Sequence, residues 1–187
     1  FQVLRQAGFA MYAWQRVWKL PRFSGRPGGS DWRVPDEIDW LAVQALHAQI
    51  VPALLQPVEN LPRLPAGLVW DVDNYLQASA TFSSGPQGVW LQPLVLPDSG
   101  CFPMHVPALV RAAGGWNQAA VFVCVRSYQT WLEAPLEELG AEPGGRQAVM
   151  VKRLTKSVKK MQTSPALEKA LAKAKTASPA ARREQER

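Results

Sequence analysis

The chain has 187 residues, 47% of them hydrophobic, with 21 Lys and Arg against 15 Asp and Glu for a formal net charge of +6. That length suits one domain of roughly 100 to 150 residues with tails, and every apolar run is broken short of the roughly 18 to 20 residues a membrane-spanning helix needs. Two cysteines, Cys101 and Cys124, are too few for a disulfide framework or a cysteine-rich zinc site, which points to a reducing compartment.

The charge falls in three blocks. Residues 1–30 carry five Arg or Lys and no acid, residues 31–150 carry five against twelve acids, and residues 151–187 carry eleven against three. An acidic body between basic ends suits tails that meet a polyanion and a body that packs on other proteins; charged tails also serve solubility alone. The opening "FQVLRQAGFAMYAWQRVWKLPRF" bears arginine, lacks acids and is rich in aromatics, as organelle transit peptides are. Residues 1–34 are therefore expected as a basic, aromatic-rich extension, with import into the mitochondrial matrix as the expected location. If retained, Phe9, Tyr12, Trp14, Trp18 and Phe23 should dock on the body or on a partner.

Along the chain, "SGRPGGSDWRVP" reads as a connector. Pro35, Asp36, Glu37 and Asp39 mark a helix start, and Ile38, Leu41, Ala45, Leu46 and Ile50 follow at helical spacing up to Pro52. With the proline-punctuated link behind it, this helix fills residues 35–65. Leu68, Val69 and Trp70 form a short apolar run that reads as a buried parallel strand, opening an α/β domain over residues 66–153. Residues 75–105 are loop-rich, with a candidate strand over 89–96 whose Pro93 argues for a sheet edge. A short helix over 106–114 comes next, with Pro107 in its first turn. Val121, Phe122, Val123, Cys124 and Val125 make the clearest strand, buried on both faces. A helix over about 129–139, bent at Pro135, and a strand over 147–152 complete the domain. Residues 154–187 form a basic tail, helical to about residue 175. Alternating strands and helices predict an α/β fold with a small parallel sheet and flanking helices.

The stretch "VWDVDN", Val69–Asn74, sets two carboxylates and an amide directly after the apolar run. With the helix "VPALVRAAGG", the strand "AAVFVCVRS" and "LEELGAEPGG", it resembles the first half of the NYN domain, a PIN-like ribonuclease fold, over about residues 66–150. The resemblance implies Asp71 as principal ligand of a divalent cation, Asp73 and Asn74 beside it, and Ser127 at the polar position after the second strand. Such a cation would activate water against a phosphodiester. The later acids of that family have no counterpart, since only Glu168, Glu184 and Glu186 follow Glu142. The metal cage is thus incomplete, Asp71 and Asp73 are weak metal candidates, and no cofactor is expected beyond a loosely held Mg²⁺. The plain alternative is that these acids turn the chain. A haloacid-dehalogenase-like phosphatase also carries Asp-x-Asp after its first strand, but Asn74 and Tyr75 depart from that pattern.

His47 falls in the first helix, Cys101 and His105 in a loop without a second ligand pair, and Cys124 in the core. "VKRLTKSVKK" places Lys152, Lys156, Lys159 and Lys160 on one helical face toward a phosphate backbone. Arg16, Lys19, Arg22, Arg26 and Arg153 extend the same candidate RNA-binding set. The expectation from sequence is a non-catalytic structural component of an organellar ribonucleoprotein, most concretely a mitochondrial ribosomal protein. Its partners would be rRNA and neighbouring proteins, with no small-molecule substrate. An accessory subunit of a respiratory complex and a metal-dependent NYN-type ribonuclease are the alternatives.

Overall fold

The basic N-terminal segment builds part of a sheet. In a computed structural model describing residues 1–23, 32–61, 67–99, 102–113 and 120–154, a short helix α1 (Gln2–Gln6) leads to β1 (Ala10–Lys19), β2 (Trp32–Arg33) and helix α2 (Asp39–Ile50). Strands β3 (Leu68–Val72), β4 (Tyr75–Gly85) and β5 (Gly88–Val95) follow, then helix α3 (Phe102–Ala112) and β6 (Val121–Arg126). A 3-10 segment (Ser127–Leu132) runs into α4 (Glu133–Glu138), and β7 (Glu142–Pro143) and β8 (Gln147–Val151) end the described elements. Phe1–Lys152 form one compact unit and Arg153–Arg187 a second, of which only residues 153 and 154 are described. The helix expected in the basic tail lies outside the described residues.

The strand order is β2-β3-β4-β5-β6-β1-β7, with β8 also pairing β1. Every described pairing is antiparallel except β5 with β6. The fold is α/β, but the small parallel sheet expected from sequence is corrected to a mixed, mostly antiparallel one. Two tight links explain the difference. Asp73 and Asn74, at φ 50° and 64°, join β3 to β4 as a two-residue turn, and Pro86 and Gln87 join β4 to β5 between the paired Gly85 and Gly88. Two-residue links produce antiparallel neighbours, and at Asp73 and Asn74 the positive φ of both central residues matches the strand twist. The connection through α3, long enough for a crossover, brings β6 back parallel to β5.

Residues 75–96, expected as mostly loop, thus hold two long strands. Pro93 lies within the interior strand β5, not at a sheet edge, and the helix expected from residue 106 begins at Phe102, so Pro107 sits inside it. Gly88, at φ +144°, lies where a Cβ would stand 2.0 Å from the Ala120 carbonyl oxygen; glycine therefore lets β5 and the start of β6 approach.

Side chains alternate across the sheet. Trp70, Ala78, Leu91, Val95 and Val123 face one way and join Phe102, Val106 and Leu109 of α3 and Leu132 and Leu136 in the main core. Val69, Ser79, Thr81, Gln92 and Leu94 face the other way, toward α2, whose buried residues are Val43, Leu46, His47 and Ile50.

Candidate functional site

The parallel pair β5 and β6 is in register only from Val89↔Val121 to Leu91↔Val123, after which the strands part. The Leu96 amide donates to the Gln77 carbonyl on the β4 side, 3.0 Å. By alternation, Pro93 and Val95 turn their main-chain groups toward β6 and into the resulting cleft. Those groups meet side chains of the 3-10 segment. Gln129, 1% exposed, accepts from the Val95 amide at 3.1 Å and donates to the Pro93 carbonyl at 3.0 Å. The Trp131 indole donates to the Val95 carbonyl at 3.2 Å. Pro93 has no N–H to leave orphaned, which is why proline is tolerated there.

On the α2 face lies a cavity of about 270 Å³. Its walls include Trp40, Val43 and Leu94, and its polar lining includes Ser79, Gln92 and Tyr128. Ser79 is 6% exposed, and neither its hydroxyl nor the Gln92 carboxamide has a hydrogen-bond partner among the described residues. Thr81, at the same surface, is 3.5 Å from the Gln92 carbonyl it donates to.

A buried polar cluster closes one end of the cavity. Glu59 accepts from the Tyr12 hydroxyl at 3.0 Å and from Arg126 Nη2 at 3.5 Å. Arg126 Nε approaches Glu59 Oε1 at 2.8 Å as an ion pair, without the angle of a hydrogen bond. The His47 ring nitrogen Nε2 is 2.7 Å from the Glu59 carbonyl, and Arg126 also donates to Gln15. Burial, then the Glu59 carboxylate, pushes the Tyr12 phenol up to about 12. The same causes raise Tyr128, and burial raises the Cys124 thiol. Burial is the largest single influence and disfavours the Arg126 cation, but Glu59, Cys124 and Tyr12 together outweigh it and the net shift is upward. The cluster therefore presents protonated phenols around a neutralised ion pair. It supplies hydrogen bonds; its one carboxylate is already committed to Arg126.

The residues singled out from sequence lie elsewhere. Asp71 is in β3 and pairs with Arg33 at 2.9 Å, while Asp73 and Asn74 form the hairpin turn. Among the described residues no group of three or more His, Cys, Asp or Glu could hold a metal ion. The Ser127 hydroxyl accepts from the Trp14 amide at 3.3 Å. Arg16 pairs with Glu133 at 2.7 Å and Lys19 with Glu142 at 3.6 Å. Lys152 stands over the Phe9 ring at 5.8 Å, and Arg22 and Arg153 are exposed. Arg26, Lys156, Lys159, Lys160 and Cys101 lie outside the described residues. His105 stacks on Trp70 with ring centroids 4.2 Å apart. Sequence reasoning passed over Glu59, Ser79, Gln92, Tyr128 and Gln129. Of these, only the alternation in "LQASATF", with Leu76, Ala78, Ala80 and Phe82 on one face, could have placed Ser79 on the other.

No protein-family profile matches the chain, nor does any curated protein. Solved structures do. A GNAT-family acetyltransferase from Colwellia psychrerythraea superposes with a TM-score of 0.54 at 13% identity, over 80% of this chain and 59% of that one. A putative GNAT-family acetyltransferase from Novosphingobium aromaticivorans gives 0.52 at 14% identity, over 79% of this chain and 69% of that one. The chain thus spans 59% of the length of the Colwellia structure. This likeness overturns the NYN and PIN-like resemblance, and with it the ribonuclease reading and the mitochondrial ribosomal role with its rRNA partner. The acids that carried the resemblance belong to an antiparallel hairpin, and three of the cations assigned to RNA, Arg16, Lys19 and Lys152, already have partners within the unit. The described part of this chain has the fold of the GNAT acetyltransferases.

Proposed function

We propose that this chain uses the acetyltransferase fold to bind a small hydrogen-bonding molecule in the cavity between α2 and the sheet. The carrying observation is Ser79, whose hydroxyl lines the cavity without a protein partner, beside the equally unpartnered Gln92. Neither group is sealed from water, so a ligand that bonds them exchanges water for its own polar atoms and gains about 0.5 to 1.5 kcal/mol per hydrogen bond. Trp40, Val43 and Leu94 suit an apolar or planar body, and Ser79, Gln92 and the protonated Tyr128 suit a polar edge. At about 270 Å³ the space takes a metabolite-sized molecule.

A panel of small amides, amines and hydroxylated ring compounds, screened by thermal shift, tests this. The expected result is a ligand that raises the melting temperature of the parent chain. Its dissociation constant should rise about tenfold in Ser79→Val, the loss of one hydrogen bond. If no compound binds and Ser79→Val alone stabilises the fold, the cavity is a packing defect and the reading fails.

A second reading, acetyl transfer by the chain itself, is favoured by the fold of the two solved structures. An acetyltransferase takes its acetyl group from acetyl-CoA. Release of free thiol from acetyl-CoA in the presence of the amine panel, above the rate without protein, would establish it.

A further inference from the structure

We infer that the cleft between β5 and β6 is closed to a coenzyme A thioester by this chain's own side chains, with the Gln129 carboxamide standing as a one-residue substitute for a strand. The argument is independent of the cavity reading. The pantetheine arm of coenzyme A is a linear chain with two secondary amides. A protein holds such a chain as it holds an extended peptide, through the main-chain groups of an open strand edge. Where β5 leaves β6, that edge offers the Pro93 carbonyl, the Val95 amide and the Val95 carbonyl. Gln129 takes the first two and Trp131 the third, at 3.0, 3.1 and 3.2 Å.

A carboxamide carries one carbonyl and one N–H donor side, the same complement as a peptide unit, so Gln129 satisfies the edge as an added strand residue would. It is 1% exposed, and the 3-10 segment leaves helical geometry at Gln129 itself, φ −131° and ψ 36°. Displacing it would orphan the Pro93 carbonyl and the Val95 amide at once.

The phosphates fare no better. The stretch from Leu96 to Pro107, which leaves the C-terminal end of β5 and begins α3, contains no Lys or Arg. It carries Asp98, exposed beside the cleft's end of β5. A nucleotide with several negative charges would meet a carboxylate where it needs cations. The residues present do not fit coenzyme A.

The test is nitrogen-15 amide spectroscopy of the full chain, with hydrogen exchange. Acetyl-CoA and coenzyme A at millimolar concentration should leave the Val95 amide and the Trp131 indole N–H unmoved in the parent chain, both exchanging slowly. Gln129→Met, similar in volume but without hydrogen-bonding groups, should speed Val95 exchange about tenfold while leaving Val123 unchanged. A saturable shift of the Val95 amide on adding either compound to the parent chain would overturn the inference. So would unchanged Val95 exchange in Gln129→Met. Should that variant not fold, the parent chain's Trp131 indole resonance decides, since a seated thioester arm must displace it from the Val95 carbonyl. Resonances of Ser79 and Gln92 report the cavity separately, so failure of one reading is distinguishable from failure of the other.

Discussion

Neutralising Glu59 should expose how much the buried cluster contributes. In Glu59→Gln the Arg126 guanidinium, whose side chain is 11% exposed, keeps its charge and loses its counter-ion. Arginine cannot shed the proton to escape. The carboxylate lies 2.8 to 3.5 Å from the guanidinium nitrogens. At an effective dielectric of about 20 that pair is worth roughly 4 to 5 kcal/mol. The glutamine amide oxygen still accepts from the Tyr12 hydroxyl and retains about 1 kcal/mol. The net loss is then about 3 to 4 kcal/mol, within the range for breaking a buried pair from one side, and the melting temperature should fall by about 10 °C. Arg126→Met should cost less, about 1 to 2 kcal/mol, because Glu59 lines the cavity, where water can reach its carboxylate. The double variant should lie within about 1 kcal/mol of Arg126→Met. Urea denaturation followed through tryptophan fluorescence measures all three. A loss below about 1 kcal/mol in Glu59→Gln, or a larger loss in Arg126→Met, would refute the reasoning.

Two other outcomes follow from local geometry. Asn74→Gly should stabilise the fold by about 0.5 to 1 kcal/mol, because Asn74 holds φ 64° in the hairpin turn and glycine adopts that conformation without strain; a loss of stability in denaturant would count against the turn. Tyr12 is pushed up to about 12 from an ordinary value of 10.0, so its protonated form contributes stability that is complete below pH 10 and lost as the pH rises through 12. Stability of the parent chain should therefore fall more steeply over that window than stability of Tyr12→Phe, and equal slopes would remove Tyr12 from the cluster.

The parts of the fold legible in the sequence are those whose burial is symmetric. Val121–Arg126, covered on both faces, announces itself as a continuous β-favouring run; the helix ending at Ile50 is placed by its ends, but its expected apolar face is corrected, since Ile38 and Leu41 are exposed and Val43, Leu46, His47 and Ile50 are buried. Strand β4 was hidden because its inward residues are Ala78 and Ala80, small side chains beneath a crowded core, and its outward ones are serine and threonine. Strand β1 read as a targeting segment because its cations are neutralised by Glu133 and Glu142, more than a hundred residues away, and a bulge between Met11 and Ala13 breaks its alternation. The pair Asp73 and Asn74 was weighed between a metal site and a turn, and the two-residue hairpin bears out the turn. Gln129 left no trace, since nothing in its neighbours reveals that a side-chain amide completes a strand edge.

The placement of β1 also sets the order in which the molecule can be built. Gln15 hydrogen-bonds Gln147, 132 residues away, and meets Arg126 across 111. Strand β1 therefore waits, with both edges open, for partners that are made more than a hundred residues later. Such long-range closure makes for slow folding, and an unpaired strand bearing Met11, Trp14 and Trp18 is a template for association with other chains. The acetyltransferase-like sheet cannot close from its N-terminal half alone; removing β8 would leave the outer edge of β1 unpaired from Ala10 to Gln15 and turn the chain toward aggregation.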